Sequence, residues 1–355
     1  MTPLICFYEK DLFIFSLDYE VHHCPAQMRV ADFLNTIEKE FFNAMKVIQC
    51  NFEFDSMSAQ KALYNGSKAS VFVIQNYALK TLAEITAGDV KNISHQFKPL
   101  VSREQFTEQV KIIKGQIAEG RIYQVNLTAP LAAACNESGL DIFNYYQAKF
   151  NSEYKAFLPY ENYSLISLSP ELFLQRVKNQ LITRPIKGSS SAEKDFSTSL
   201  YKNEKEEAEL SMIVDLLRND LNNLDENQAS VVTKHREKMQ LGYIQHTYSE
   251  IQVSNDQPLA SILQKTMPGG SISGCPKIES LKVINELEPY RRQAYTGTLG
   301  WWQKNDFTLN LTIRTFIKSH DLLVYHAGCG IVYDSDPESE WDEFLLKTGS
   351  LHVTK

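Results

Sequence analysis

The clearest periodic pattern of apolar residues in the chain lies between residues 205 and 221. Apolar side chains recur there at spacings of three and four. This predicts an amphipathic helix whose single apolar stripe consists of Leu210, Ile213, Val214, Leu217 and Leu221. Glu206 and Glu209 lie one turn apart beside this stripe, so both carboxylates can face the protein interior.

Helical patterns are also present in three other parts of the chain. Residues 31–47 and 103–120 are predicted to be helical, and the second of these helices is expected to end at Gly120. Residues 276–287 form another predicted helix, with Pro276 at its first position. Proline suits that position because the amide hydrogen that it lacks would have no partner there.

Shorter apolar or alternating runs predict β-strands, at residues 69–74, 122–128, 165–168 and 172–177. The polar segment 188–199 is expected to be a mobile loop. The chain shows no internal repeat and no low-complexity linker, so cleanly separated domains are not expected. We expect residues 1–100 to contribute the N-terminal part of one intertwined unit and residues 101–355 to form its catalytic region.

Composition narrows the class of protein. The chain has 355 residues, of which 43% are hydrophobic, and this is enough for a large core. The net charge of −7 argues against a nucleic-acid binder, and no apolar run approaches the ~18 residues of a membrane span. The six cysteines are scattered without a CxxC pair, which fits free thiols in a reducing cytoplasm better than disulfides or a zinc site.

A second pair of glutamates is predicted on a helix near the end of the chain. The helix begins near Pro337, with Asp336 as its N-cap, and it carries Glu340, Glu343 and Lys347 on one face. Together with Glu206 and Glu209, the two pairs offer four carboxylates, which suit a hard cation such as Mg²⁺. Acidic residues in a first turn also stabilise a helix through its dipole, so a purely structural role remains open.

Two glycine-rich segments, residues 268–274 and 328–330, resemble backbone cradles for an anion. Glycine lets the main chain approach a ligand closely and offer its amide hydrogens. Neither segment is a Walker A or GxGxxG motif. Each of them can equally be an ordinary turn.

Four residues outside these segments have side chains suited to chemistry. Lys187, between proline and glycine, can be a nucleophile on a tight turn. Arg314, in an apolar strand-like run, needs an anion, which is either a substrate carboxylate or an internal acid. His246 is either a general acid or a satisfied core histidine, and Glu171 is either a buried proton donor or a solvated turn acid.

The order of several motifs along residues 103–355 resembles one enzyme family. These motifs are QVNL (124–127), SPELF (169–173), RPIKG (184–188), AELSMIVDLLRNDL (208–221), PGGSISGCPK (268–277), YTGTLG (295–300), TIRT (312–315) and GCGIVYDSDPE (328–338). In this they are similar to the chorismate-utilising enzymes, which include anthranilate, aminodeoxychorismate, isochorismate and salicylate synthases. The resemblance implies an α+β fold in which two antiparallel β-sheets form a sandwich flanked by helices, with the site in the cleft between them.

The resemblance also implies roles for individual residues. It assigns Mg²⁺ to Glu209 and Glu343, with Glu206 and Glu340 completing the shell. It assigns catalysis to Lys187, Glu171 and His246, and substrate binding to Arg314, Tyr295, Ser271, Gly328, Gly330, Lys347 and Gln124. Lys187 would attack C2 of chorismate in its neutral form, while Glu171 or His246 protonates the leaving hydroxyl.

Two positions distinguish members within the family. Members that add water to chorismate carry a lysine base where this chain has Gln124, and anthranilate synthases usually carry alanine where it has Lys187. The Pro-Ile-Lys-Gly form is similar to that of the aminodeoxychorismate synthases. Anthranilate synthesis and a non-catalytic chorismate-binding role remain the alternatives.

The resemblance further implies two protein partners. The chain shows no glutaminase motif, so ammonia is expected from a glutamine amidotransferase subunit. It also shows no fused lyase, so a separate aminodeoxychorismate lyase is expected to act on the product.

Overall fold

The computed structural model describes residues 2–9, 11–55, 60–86, 93–191, 204–241, 244–348 and 351–353. The side chains at 189–191, 204–206, 208, 241, 244 and 352 are excepted. The helices are α1 Val30–Glu40, α2 Leu82–Ile85, α3 Arg103–Ala118, α4 Gly139–Tyr146, α5 Glu204–Asn222, α6 Leu259–Thr266, α7 Lys277–Leu287 and α8 Pro337–Leu346. In the described ranges, no helix is both long and apolar enough to cross a bilayer.

The strands account for most of the fold. They are β1 Leu4–Glu9, β2 Leu12–His23, β3 Met45–Cys50, β4 Ala69–Lys80, β5 Gln96–Pro99, β6 Gln124–Ala134, β7 Tyr154–Pro159, β8 Ser164–Ser169, β9 Leu172–Val177, β10 Gln180–Arg184, β11 Ile186–Ser191, β12 Val231–Leu241, β13 Ile244–Ser254, β14 Gly274–Cys275, β15 Thr298–Gln303, β16 Asp306–Leu311, β17 Thr315–Ser319, β18 Leu322–Ile331 and β19 His352–Val353.

Antiparallel pairing joins fourteen of these strands into one continuous series. From β13 the series runs through β10, β9, β16, β15, β3, β4 and β2 to β1. From β1 it continues through β7, β8, β17 and β18 to β6. The α+β class and the antiparallel sheet are therefore confirmed, and β1 links the two halves by hydrogen bonds. Strands from residues 1–100 pair with strands beyond residue 100 at β1–β7 and β3–β15.

Several helix boundaries follow from local sequence signals. Helix α3 begins at a capping box formed by Ser102 and Gln105, and the chain leaves it at Gly120, whose φ is 76°. Helix α8 begins as predicted, with the Asp336 carboxylate accepting the amide hydrogen of Ser339 at 2.9 Å. Helix α5 spans the predicted apolar stripe, and all five stripe residues are buried.

Three local predictions need correction. The helix expected over residues 31–47 ends at Glu40, because residues 45–50 form the fully buried strand β3. The loop expected over residues 188–199 is wrong up to Ser191, because β11 extends to that residue, and residues 192–199 of that prediction lie outside the described residues. Pro276 is the N-cap of α7 and not its first residue.

Candidate active site

Lys187 lies on β11, where this strand bulges against β13. The register between the two strands shifts directly after Lys187, and Gly188 has a φ of 63°, a conformation that favours glycine. Two residues of β13 fix the bulge. The Thr247 hydroxyl donates to the Lys187 carbonyl at 2.7 Å, and His246 Nδ1 donates to the Gly188 carbonyl at 2.9 Å. The turn predicted around Lys187 is therefore a bulged strand.

Glu171 lies at the break between β8 and β9 and is buried, with 8% of its surface exposed. The hydroxyl of Ser271 donates to its Oε1 at 3.2 Å. Burial raises the pKa of Glu171 to about 7, although the charge of Lys187 and hydrogen bonds from Ser271 and Ile186 act in the opposite direction. Glu171 is therefore not a solvated turn acid, and near neutral pH it holds a proton about half of the time.

His246 lies on β13 and is buried, with Arg314 close enough to influence it. Burial lowers the pKa of His246, the charge of Arg314 lowers it further, and the hydrogen bond to Gly188 acts in the opposite direction. The ring is therefore neutral at physiological pH. Because a carbonyl only accepts, the ring proton at Nδ1 is assigned by this hydrogen bond.

Arg314 does not continue a strand as its apolar surroundings predicted. It lies at a bend between β16 and β17, with a φ of 50°, and its carbonyl accepts the amide hydrogen of Leu168 at 3.0 Å. Among the described residues, the Arg314 guanidinium has no hydrogen bond and no ion pair. The charge of Arg314 lowers the pKa of buried His246. It acts in the same direction on Tyr325, where burial is the larger effect and raises the pKa of the hydroxyl to about 12. This half-buried cation is therefore available to an external anion.

The glycine-rich segment 268–274 packs beside Glu171. It contains a 3₁₀ turn, Gly270–Ile272, that presents Ser271 to the Glu171 carboxylate. Arg292 Nη1 donates to the Ile272 carbonyl at 2.7 Å and holds the turn from behind. A Cβ at Gly274 would lie 2.2 Å from the Gln124 carbonyl oxygen, so only glycine allows this close contact between β14 and β6.

Tyr295, Gly328 and Lys347 are grouped around β18 and the end of α8. The Tyr295 ring stacks on His326 with centroids 5.1 Å apart, and burial raises the pKa of its hydroxyl, which therefore stays protonated. Lys347 Nζ donates to the Gly328 carbonyl at 3.1 Å. Gly328 and Gly330 lie inside β18, so the segment 328–330 is part of a strand and not an ordinary turn. Their substrate contacts stay a prediction.

Gln124 begins β6 and is buried, with 3% of its surface exposed. Its Nε2 lies 2.6 Å from the position that a Cβ at Gly330 would occupy, so glycine there makes room for the amide. Among the described residues, Gln124 Oε1 has no hydrogen-bond donor. A buried amide is not a base, so this position does not provide the proton acceptor that a lysine would provide.

Two of the four predicted metal ligands converge. Ligand atoms of Glu340, Glu343 and Cys329 lie within 4.8 Å of one another, and Glu340 is buried. The Cys329 thiol donates to the Glu340 carbonyl at 3.5 Å, and burial raises its pKa, so it stays a thiol. Carboxylate oxygens are therefore the donors of this cluster, and they fit a hard cation such as Mg²⁺. Glu343 also forms an ion pair with Lys347 at 2.7 Å.

The other two predicted ligands lie on α5. Glu209 is half-buried, and in the described part of the chain it belongs to no group of three metal-ligating side chains. The side chain of Glu206 lies outside the described residues, although its backbone is helical. The joint action of the two helices therefore stays a prediction.

Three residues of the site were not identified from sequence. Thr247 fixes the bulge at Lys187, and its only sequence signal is its place beside His246. Arg292 and Glu288 form a buried ion pair of 2.6 Å. Arg292 also donates to the Ile272 carbonyl, and Glu288 accepts the amide hydrogen of Thr128 on β6. Their spacing of four residues predicts a helical pair, but they lie beyond the end of α7.

Comparison with known proteins places the chain in a family. The profile of the chorismate binding enzymes matches residues 6–352. Anthranilate synthase component 1 3 of Haloarcula marismortui is 32% identical over 304 residues, which are 81% of this chain and 60% of that protein. Aminodeoxychorismate synthase component 1 of Bacillus subtilis is 32% identical over 279 residues, 76% of this chain and 59% of that protein. The chain thus spans about three-fifths of the length of these relatives.

Solved structures support the same fold. Anthranilate synthase component I from Streptococcus pneumoniae superposes with a TM-score of 0.81 at 23% identity, covering 99% of this chain and 90% of that one. A 2,3-dihydroxybenzoate-specific isochorismate synthase from Bacillus anthracis gives a TM-score of 0.74 at 20% identity, covering 97% and 94%. The profile match over nearly the whole length shows that this chain belongs to the chorismate binding enzyme family.

Proposed function

We propose that the chain is an aminodeoxychorismate synthase component 1, which replaces the 4-hydroxyl of chorismate with an amino group from ammonia. The observation that carries this proposal is the setting of Lys187. Its backbone is fixed by Thr247 and His246, and its charge acts on the buried acid Glu171. Identity alone does not choose between reactions, because an anthranilate synthase and an aminodeoxychorismate synthase are both 32% identical to the chain.

In the proposed first step, the neutral amine of Lys187 attacks C2 of chorismate. The two ring double bonds shift, the 4-hydroxyl leaves as water with a proton from Glu171, and the attacking nitrogen becomes a substituted ammonium. A carboxylic acid with a pKa of about 7 is suited to this donation, because it is protonated often enough and releases the proton readily. His246 is neutral, and its Nδ1 proton is engaged in the hydrogen bond to the Gly188 carbonyl. We therefore assign the proton donation to Glu171.

In the proposed second step, ammonia adds at C4 and the bond from Lys187 to C2 breaks. The product is 4-amino-4-deoxychorismate, and covalent catalysis divides one difficult displacement into two easier ones. The buried amide of Gln124 does not activate water, so hydrolysis is disfavoured. We assign ammonia supply to a glutamine amidotransferase subunit, and conversion to para-aminobenzoate to a separate lyase.

We propose that the substrate is held by its carboxylates. Arg314, which has no anionic partner among the described residues, would bind one of them with its planar fork. Lys347 would contribute a second positive charge to the substrate site, and the protonated hydroxyl of Tyr295 would contribute a neutral hydrogen-bond donor. Glu340 and Glu343, with Glu209, would hold Mg²⁺, which when bound neutralises and orients a substrate carboxylate. Glu206 would complete this set.

The test uses the purified chain with chorismate, Mg²⁺ and ammonium at mildly alkaline pH, where free ammonia is present. Products are separated by chromatography with and without added aminodeoxychorismate lyase. Para-aminobenzoate that appears only with the lyase supports the proposal. Anthranilate as the product would assign the chain to the rival reaction, and binding of chorismate without turnover would indicate a non-catalytic role.

Variants test the residue assignments in the same assay. Lys187→Ala should abolish amination at C4, whereas Lys111→Ala, on the exposed face of α3, should leave it unchanged. Full activity of Lys187→Ala would refute the covalent mechanism. Glu209→Ala and Glu343→Ala should lose activity while keeping a cooperative thermal transition. Loss of that transition in both would indicate that these acids are structural.

A further inference from the structure

A second cluster of chemically reactive side chains lies at the end of β6 opposite to Gln124. Its members are His95, which directly precedes β5, Cys135, which directly follows β6, and Glu137, which precedes α4. Their ligand atoms all lie within 4.8 Å of one another. Gln124 begins β6 and Cys135 follows its end, so at about 3.4 Å per residue the cluster is some 35 Å from that part of the candidate active site.

Two of the three distances within the cluster match the spacing of ligands around a small metal ion, and the ligand atoms of the third pair, His95 and Cys135, lie within 4.8 Å of each other. His95 Nε2 lies 3.2 Å from Glu137 Oε2, and Cys135 Sγ lies 3.4 Å from the same oxygen. Zinc bonds of about 2.0–2.3 Å in tetrahedral geometry place neighbouring ligand atoms at about 3.3–3.6 Å. A small contraction or expansion of the three side chains is therefore sufficient to accept an ion.

The surroundings support such a site. His95 and Cys135 are 3% and 2% exposed, and the Glu137 side chain is 32% exposed, which leaves a route for an ion and for water. His95 Nδ1 lies 3.1 Å from the Tyr146 hydroxyl, on the side of the ring away from Glu137. A ligating histidine almost always has such a partner for its other nitrogen, because the partner fixes the tautomer and the ring orientation.

We propose that His95, Cys135 and Glu137 bind one Zn²⁺, with water in the fourth position. The Cys135 thiol gives up its proton to solvent as the zinc–sulfur bond forms. The ring proton of His95 then resides on Nδ1, which donates a hydrogen bond to the Tyr146 hydroxyl. One thiolate and one carboxylate balance the two positive charges, so the bound site is neutral. The ion joins the start of β5, the end of β6 and the segment before α4.

The ligand set separates this site from the cluster of Glu340, Glu343 and Cys329. There the cysteine donates to a backbone carbonyl and the glutamates offer oxygen, which suits Mg²⁺. Here the cysteine donates to a carboxylate beside an imidazole, and nitrogen and sulfur ligands favour zinc. Binding of Zn²⁺ in the presence of excess Mg²⁺ therefore reports on the His95 site.

The experiment titrates chelator-treated full-length chain with Zn²⁺ in excess Mg²⁺, by calorimetry and metal analysis. We expect one Zn²⁺ per chain and the release of one thiol proton. Cys135→Ser and His95→Gln should each lower the affinity at least tenfold, and Tyr146→Phe about tenfold. Cys24→Ser, a buried cysteine elsewhere, and Glu340→Gln are the controls and should bind as the wild type does.

Co²⁺ provides a second readout that does not depend on the folding of any ligand variant. The wild type and Glu340→Gln should both show a thiolate-to-cobalt charge-transfer band, which supports the assignment. The proposal is overturned if the wild type binds no stoichiometric Zn²⁺. It is equally overturned if Glu340→Gln abolishes binding or the cobalt band, or if Cys135→Ser binds with unchanged affinity.

Discussion

Glu171 should make the stability of the protein depend on pH in a direction opposite to that of most carboxylates. Its folded-state pKa of about 7 lies above the ordinary value of 4.5, because burial disfavours the charged form. The favourable contribution of the protonated acid is fully present below pH 4.5. It is lost as the pH rises through 7, where the buried carboxylate ionises.

The size of the effect follows from the same two values. A rise from 4.5 to about 7 corresponds to about 3 kcal/mol, at about 1.4 kcal/mol per pH unit. The substitution Glu171→Gln keeps the shape of the side chain but cannot ionise. Relative to this variant, the wild type should therefore lose about 3 kcal/mol of unfolding free energy between pH 4.5 and pH 9.

The assay is urea unfolding of both proteins at several pH values, with linear extrapolation to zero denaturant. Glu250→Gln is the matched control, because this buried carboxylate accepts hydrogen bonds from Arg184, Thr233 and Lys234, and its pKa falls to about 2. Its contribution is present above pH 4.5 and is lost only as the pH falls through about 2, so the control difference should be flat from pH 5 to pH 9. A flat difference for Glu171→Gln as well would refute the reasoning.

Two further predictions concern stability at neutral pH, measured by the same unfolding assay. Glu288→Ala leaves the buried Arg292 without its carboxylate and should cost about 3–5 kcal/mol, whereas Glu338→Ala breaks an exposed pair and should cost under about 1 kcal/mol. Equal costs would contradict this. Gly115→Ala, with open space on α3, should stabilise by up to about 1 kcal/mol, and Gly274→Ala should destabilise by overlap with a backbone oxygen. The opposite order would contradict this.

Elements whose signals are local were predicted well from the sequence. Helix α8 begins where Asp336 and Pro337 indicated, because an N-cap and a first-turn proline act within one turn of the chain. Helix α5 follows from its apolar stripe, since burial of one face is enough to determine a helix of that length. The family resemblance then gave the antiparallel α+β class, which no single element determines.

Features that depend on distant contacts were not predicted. Arg314 was placed in a strand because its neighbours are apolar, but a φ of 50° at one residue ends β16 and starts the separate strand β17. Gly328 and Gly330 were interpreted as an anion cradle or an ordinary turn, because glycine is suited to both. They lie within β18, where the absence of a side chain at Gly330 makes room for Gln124, a residue more than 200 positions earlier.

His95 lies far from the other two residues of its cluster in the sequence, which explains why a zinc site was not expected. Cys135 and Glu137 lie two positions apart, but His95 precedes Cys135 by 40 residues and reaches it because β5 pairs with β6. Spacing rules detect sites whose ligands lie close together in the chain. All six cysteines are free thiols in the structure.

The proposed chemistry places two requirements on one pair of side chains. Lys187 must be uncharged when it attacks, and Glu171 must be protonated when it donates, so the reactive pair carries no net charge. Burial favours the protonated, uncharged form of Glu171. Its pKa is about 7 although the nearby charge of Lys187 lowers it. At a fixed concentration of free ammonia, the loss of protonated Glu171 above pH 7 is opposed by the gain of neutral Lys187, so the test of Glu171 is a substitution rather than a pH profile. Glu171→Gln should be about 10²–10⁴-fold slower in amination of chorismate, whereas a rate equal to that of the wild type in this variant would assign the proton to another group.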